Sequence, residues 1–179
     1  MAMQVAYNEE NIQEEITMEK YIRTAREEDL PRILEIYAYA RDFMAKTGNP
    51  NQWGNHNPPK HQLQQDIRDG NLFVVTEGEK IHGVFFFYIG EDPTYREIFG
   101  GSWHASRPYG TIHRIASDGT GGILSSAVAY GAERIDYLRI DTHEDNKVMQ
   151  RAVEKQGFRR CGIIHIADGS ERIAYDRIG

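Results

Sequence analysis

The amino-acid sequence predicts a single α/β domain, and three observations carry that expectation. Stretches of strand character alternate with stretches of helical spacing, as when strands and helices pack in layers. Residues 72–77 and 80–89 flank Gly78 as a hairpin. No internal repeat, low-complexity tract or composition break divides the 179 residues, a length that suits one domain with a substantial core.

Composition narrows the function. With 40% hydrophobic and 27% charged residues the chain reads as an ordinary soluble protein. A formal charge of −6 argues against a general nucleic-acid binder and suits a cationic amine substrate. Cys161 is the only cysteine, so an intrachain disulfide is excluded. No apolar run approaches the ~20 residues of a membrane helix, and the first residues lack signal-peptide character. A cytoplasmic protein that binds neither membrane nor nucleic acid is expected.

The elements follow in order. Residues 1–19 are polar and read as an arm. Tyr21 to Thr24 form a strand. A helix follows, with Asp29 as N-cap, Pro31 in the first turn, and Leu30, Ile33, Leu34, Tyr37 and Met44 on its apolar face. Residues 49–59 are loop, with Trp53 either a lid over the core or a pocket wall. His61 to Asp69 form a helix closed by Gly70. The second hairpin strand is apolar on both faces, as for a central strand, so Phe85 to Tyr88 are core residues. Residues 90–110, rich in Gly and Pro, make a long connection of the kind that carries function.

Residues 111–126, TIHRIASDGTGGILSS, give a strand, a glycine-rich turn and the start of a helix. Gly119, Gly121 and Gly122 leave the backbone uncovered, and a helix starting near Gly122 aims free N–H groups forward, a seat for phosphate. The spacing is neither that of a P-loop nor that of a dinucleotide motif. Leu124, Val128 and Ile135 mark one side of that helix, which Gly131 weakens. Tyr137 to Thr142 form a strand. In the next helix Val148, Met149, Ala152 and Val153 form the buried face, and Gly157 ends it. Two strands, 158–166 and 172–178, close the chain.

Across residues 20–178 this order resembles the GCN5-related N-acetyltransferase (GNAT) family. YIRTAREEDLPRILEIY looks like the family's first strand and helix, and HRIAS with GTGG like its acetyl-CoA strand and pyrophosphate loop. DTHEDNKVMQRAVEKQGF, the most specific segment, looks like its strand-to-helix segment with an asparagine and a terminal Gly-Phe. The resemblance implies a mixed, mostly antiparallel sheet of about seven strands, with the fourth and fifth splayed and helices on both sides. It implies acetyl-CoA as co-substrate, its pantetheine on the backbone of Ile115, Ala116 and Ser117. The pyrophosphate would lie on the amides of Gly119, Thr120, Gly121, Gly122, Ile123 and Leu124, with the Ser125 hydroxyl as an added donor. Asn146 corresponds to the asparagine that bonds cofactor or an active-site water.

Two positions depart from the family pattern. The turn is short and lacks the leading Arg or Gln, with Leu124 in place of a small residue. Val153 stands where many members carry a tyrosine acid. His143, just past the fifth strand, is the substitute acid by position and by imidazole chemistry, or else a solvent-facing or helix-capping residue before Asp145. Tyr175 and His113 are further options, each otherwise a packing residue. The Asp141, His143, Glu144, Asp145 run reads as a capped helix start, so no metal is expected. Cys161 reads as a buried, inert thiol.

The resemblance implies transfer of an acetyl group to an amine of a small molecule or peptide by direct attack, without a covalent enzyme intermediate. The competing expectations are a non-catalytic acyl-CoA-binding or regulatory domain, and an interaction module built on Trp53, Trp103 and the long connection. A homodimer is compatible with either enzyme or binding domain.

Overall fold

The computed structural model describes residues 19–179. The polar arm expected over residues 1–19 therefore lies, but for Glu19, outside the described residues. Seven strands are formed: β1 Lys20–Thr24, β2 Leu72–Glu77, β3 Lys80–Ile89, β4 Gly110–Ser117, β5 Tyr137–Thr142, β6 Arg159–His165 and β7 Glu171–Ile178. They make one sheet in the order β1-β2-β3-β4-β5-β7-β6. Helices α1 Leu30–Lys46, α2 Lys60–Arg68, α3 Ile123–Ala132 and α4 Lys147–Lys155 complete the fold. The crossover through α3 makes β4 and β5 the one parallel pair, because a helix between strands returns the chain to the same end of the sheet. This is the mixed, mostly antiparallel α/β architecture expected. None of the described helices is long and apolar enough to cross a membrane.

Strand alternation sends side chains to two faces. Phe85, Phe87, Ile112, Leu138, Ile140, Val153 and Tyr175 meet Ile123, Ala127 and Val128 of α3 on one face. On the other, α1 and α2 bring Ile33, Ile36, Tyr37 and Leu63 onto Leu72, Val74 and Val84. The same face carries a smaller cluster of Tyr95, Tyr109, Tyr137, Ile164 and Ala174, with Trp103 packed against it. Residues 90–110 cover the β5–β7 half in this way, leaving the middle of that face open between the connection and α1.

Several helical details differ from the sequence reading. Asp29 holds the N-cap position of α1 as expected, but its side chain makes no capping bond; the carboxylate accepts the Arg26 N–H at 2.8 Å and pairs with Arg23 at 2.6 Å, which closes a short 3-10 turn before the helix. In α3 the buried face is Ile123, Ala127, Val128 and Gly131, while Leu124 is half-buried and Ile135 lies beyond the helix. Gly131 is there for contact: a Cβ would sit 3.0 Å from Leu138 and 3.1 Å from Phe87. In α4 only Val153 is fully buried; Val148 is exposed, Met149 packs against the core while also lining both cavities, and Ala152 lines the narrower one. In β3, Phe85 and Phe87 are core, Phe86 lines a cavity, and Tyr88 is exposed.

The middle of the sheet is shaped by one irregularity. Val84 pairs with Ala116 and Phe86 with His113, so Arg114 and Ile115 share a single opposite residue, a β-bulge. Arg114 takes φ +50°, uncommon for a residue with a Cβ. Three contacts hold it: the Tyr37 hydroxyl donates to the Arg114 carbonyl at 2.6 Å, the guanidinium lies 2.8 Å from buried Asp66, and it stacks 4.4 Å over Phe86. Pairing with β5 stops before the bulge is reached, since only Gly110↔Leu138 and Thr111↔Arg139 pair.

The long connection is fixed from below by Asp176. This fully buried carboxylate accepts the backbone N–H of His104 at 2.8 Å and the Tyr137 hydroxyl at 2.8 Å, and its other oxygen meets the His104 ring at 2.7 Å. Burial alone would raise the carboxyl, but the His104 N–H and ring, the Tyr137 hydroxyl and the Cys161 thiol outweigh it and hold it below the ordinary range.

Two outcomes are expected. Tyr37→Phe costs about 1 kcal/mol in urea unfolding, the value of one hydrogen bond at a buried carbonyl. Asp176→Asn costs about 2–4 kcal/mol at pH 7. Because the folded pKa is depressed, the carboxylate stabilises the fold above its unfolded pKa near ~3.9 and ceases to do so as pH falls through the folded value. The asparagine variant therefore shows a flatter loss of stability with pH below about 4 than the parent.

Candidate functional site

Two cavities share Met44, Ile115, Asn146 and Met149 in their walls, where β4 and β5 part. The narrower, about 350 Å³, runs between α1 and α4 past Ile115, Ala116, Ser117, Gly119 and Leu124. None of its walls is a charged residue. The wider, about 640 Å³, opens on the face beside the long connection and is floored by Phe86, His113, Arg114 and Asp141.

The glycine turn at the end of the narrow cavity is held by its own side chains. Ser117 Oγ accepts the Gly119 N–H at 3.1 Å and donates to the Thr120 carbonyl at 2.7 Å. Asp118 accepts the Thr120 N–H at 3.1 Å and is anchored by Arg32 at 2.6 Å and His82 at 3.0 Å. Gly119 has φ +101°, and a Cβ there would fall 2.7 Å from the Tyr39 hydroxyl. Gly119 and Thr120 thus spend their amides inside the turn, and the Ser125 hydroxyl donates to the Gly122 carbonyl at 2.9 Å. The N–H groups of Gly121, Gly122, Ile123, Leu124 and Ser125 have no acceptor among the described residues. This is a row of donors at a helix N-terminus. Lys20, paired with Glu77 at 2.9 Å, brings its ammonium 3.7 Å from the Cβ position of Gly122. Nothing in the sequence links Lys20 to a turn a hundred residues away; the β1–β2–β3–β4 order does.

From Ile112 onward the edge of β4 that faces β5 has no strand partner. Ile115, Ala116 and Ser117 all line the narrow cavity. Asn146 lies at the junction but is engaged: its Oδ1 caps the Met149 N–H at 3.0 Å, and its Nδ2 donates to Gln52 Oε1 at 2.9 Å. Gln52 ties residues 47–60 over the wide cavity, and Trp53 is a wall that also packs edge-on to Tyr37 at 5.5 Å.

His143 accepts the Asp145 N–H on Nδ1 at 3.1 Å and is in the wall of neither cavity. Tyr175 and Val153 are buried in the core. His113, by contrast, stands on the floor of the wide cavity between two carboxylates. Its Nε2 is 2.7 Å from Asp92 and its Nδ1 is 3.4 Å from Asp141. Tyr95 donates to Asp141 at 2.7 Å, and burial together with Asp141 pushes that phenol well above its ordinary value, so it stays a donor. Burial would raise Asp92, but His113 and Thr94 outweigh it and hold it well below the carboxylate range. Asp92 and Tyr95 sit in the long connection, and their partner His113 on a strand, so no local motif announces the group.

No family model and no curated protein matches the chain. Solved structures do. A GNAT-family acetyltransferase of Streptococcus agalactiae is 30% identical, with TM-score 0.77 over 89% of this chain and 95% of that one. A GNAT-family acetyltransferase of Listeria monocytogenes (16%, TM-score 0.65, 89% and 95%) shares the fold. So does the ribosomal-protein-alanine N-acetyltransferase of Brucella melitensis (18%, TM-score 0.59, 89% and 99%). At 30% identity over nearly the whole of the streptococcal relative, and with β4 and β5 parting above a glycine turn as that resemblance requires, the chain belongs to the GCN5-related N-acetyltransferase family.

Proposed function

We propose that the protein transfers an acetyl group from acetyl-CoA to the amine of a small molecule or peptide. The observation that carries this reading is the meeting of the two cavities at the unpaired edge of β4, with free amides at the far end of one and a histidine–carboxylate floor in the other. The narrow cavity fits the co-substrate: the amides of Gly121 to Ser125 suit a diphosphate, and no carboxylate in its walls would repel one. The amine attacks the thioester carbonyl of acetyl-CoA, the C–N bond forms as the C–S bond breaks, and CoA leaves as a thiolate that takes up the proton the amine has given up. The open edge of β4 at Ile115 to Ser117 offers backbone groups to the pantetheine amides, and a backbone N–H there can stabilise the developing oxyanion.

In the wide cavity Asp92 and Asp141 attract a cationic amine. An ammonium must lose a proton before it attacks, and His113 is the floor group placed to take it. Asp92 fixes the ring through Nε2 at 2.7 Å, and Nδ1, 3.4 Å from Asp141 without a hydrogen bond to it, is the nitrogen left to take the proton. Direct attack needs no enzyme nucleophile, and Cys161 is unsuited to be one: burial, with Asp176 close by, pushes its thiol up to about 12.

Acetyl-CoA at about 100 times its Kd is expected to raise Tm by about 5–10 °C, whereas absence of any shift at saturation contradicts the reading. Gly121 has open space around its Cβ position, so Gly121→Asp adds a charge without a clash. It should weaken CoA binding about tenfold or more in titration calorimetry while leaving Tm of the free protein unchanged. His113→Gln should lower kcat by about 10²–10⁴ with CoA affinity intact, and His143→Gln by less than about threefold. The opposite order would return the catalytic role to His143, and CoA binding without turnover of any amine would favour a binding or regulatory domain.

A further inference from the structure

Sheltered arginines in this fold are compensated, with one exception. Arg23 meets Asp29 at 2.6 Å, Arg32 meets Asp118 at 2.6 Å, and Arg114 meets Asp66 at 2.8 Å. Arg139, 6% exposed, has no carboxylate in contact but lies 3.9 Å over the rings of both Trp103 and Tyr109. Arg172, 7% exposed, has neither carboxylate nor ring in contact among the described residues. Its Nη1 donates to the Ser170 hydroxyl at 3.1 Å and the Glu171 carbonyl at 2.7 Å, and its Nη2 to the Gln52 carbonyl at 3.4 Å. Nε makes no hydrogen bond among the described residues. Burial pushes the guanidinium down from its ordinary value, with Asp141 and Asp168 opposing from a distance. A buried charge without a counter-ion is costly, and an anion brought into contact relieves it.

Arg172 is in the wall of the wide cavity. Asp141 pairs across the sheet with Ala174, and Arg172 is two residues further along β7, so both side chains leave the same face. Such diagonal neighbours stand about 7–8 Å apart. Asp141 Oδ1 accepts no hydrogen bond among the described residues. One wall therefore offers an uncompensated guanidinium and the floor beside it an acceptor for an ammonium.

We propose that the acceptor is an amino acid, its carboxylate on the Arg172 guanidinium and its amine facing Asp141 and His113. This rests on the acetyl-transfer reading for the site. A planar guanidinium holds a carboxylate through paired N–H groups, and the opposite charges of floor and wall orient a zwitterion with its amine toward the parting strands. A diamine would set a second cation against Arg172 and is disfavoured.

The test compares the twenty common free amino acids with their carboxamides as acceptors, and their N-acetyl derivatives with the matching N-acetyl amides as ligands in the presence of CoA. The expected result is at least one free amino acid used about tenfold or more better in kcat/KM than its carboxamide. Arg172→Gln brings that ratio to within about twofold, with acetyl-CoA affinity unchanged, and Arg172→Lys restores part of it. A structural role for Arg172 would lower Tm and leave the ratio. Carboxamides or diamines used as well as free amino acids, or a ratio that survives Arg172→Gln, overturn the proposal while leaving acetyl transfer in place. If nothing is acetylated, N-acetyl amino acids that bind in preference to their amides, and lose that preference in Arg172→Gln, uphold the subsite and reject the transferase; equal or absent binding of both overturns the subsite.

Discussion

The site depends on β4 ceasing to pair with β5 after two residue pairs. Continuous pairing would consume the N–H and C=O groups of both strand edges and leave no gap. The strands part after Thr111, and the bulge further along at Arg114 and Ile115, held by Tyr37, Asp66 and Phe86, bends β4 where it would otherwise run on beside β5. The backbone strain of φ +50° at Arg114 is offset by contacts from α1, α2 and β3 together. Those helices thus do more than cover a face: they keep the cleft open from which both cavities start.

Charge is divided between the cavities in a way that suits two different ligands. The narrow one is free of ionised walls and ends in unpartnered amides with Lys20 beside them. The wide one gathers Asp92, Asp141 and Asp168 with His113, Arg114 and Arg172. Asp66 neutralises Arg114, at the expense of a carboxyl that burial pushes up against the pull of that arginine. The free charges facing the wide cavity are then a carboxylate cluster and one guanidinium.

Where a feature is local, the sequence announces it. The hairpin at Gly78, the helix stop at Gly157 with Phe158 folded back, and the strand–glycine turn–helix of residues 111–126 all appear where their patterns place them. Periodicity does not reveal where an apolar helix face also borders a cavity: Met149 packs on the core yet lines both cavities, and Ala152, with core spacing, lines the narrow cleft. The amides expected to face the ligand from Gly119 onward begin at Gly121, because Ser117 and Asp118 use the first two within the turn. The Asp92, His113, Asp141, Tyr95 group was illegible for another reason. Its members meet across the long connection and two strands, and only tertiary packing gives such pairs a distance.

The proposed acyl-CoA seat is the gap between the parted strands with the amides beyond it, opening onto His113. A crystal structure with CoA tests it most directly. Diphosphate oxygens are expected within hydrogen-bond reach of the amides of Gly121 to Ser125, pantetheine along Ile115 to Ser117, and the thiol at the wall shared by the two cavities near Asn146. CoA bound with its diphosphate away from that turn, or its thiol outside the shared wall, would contradict it.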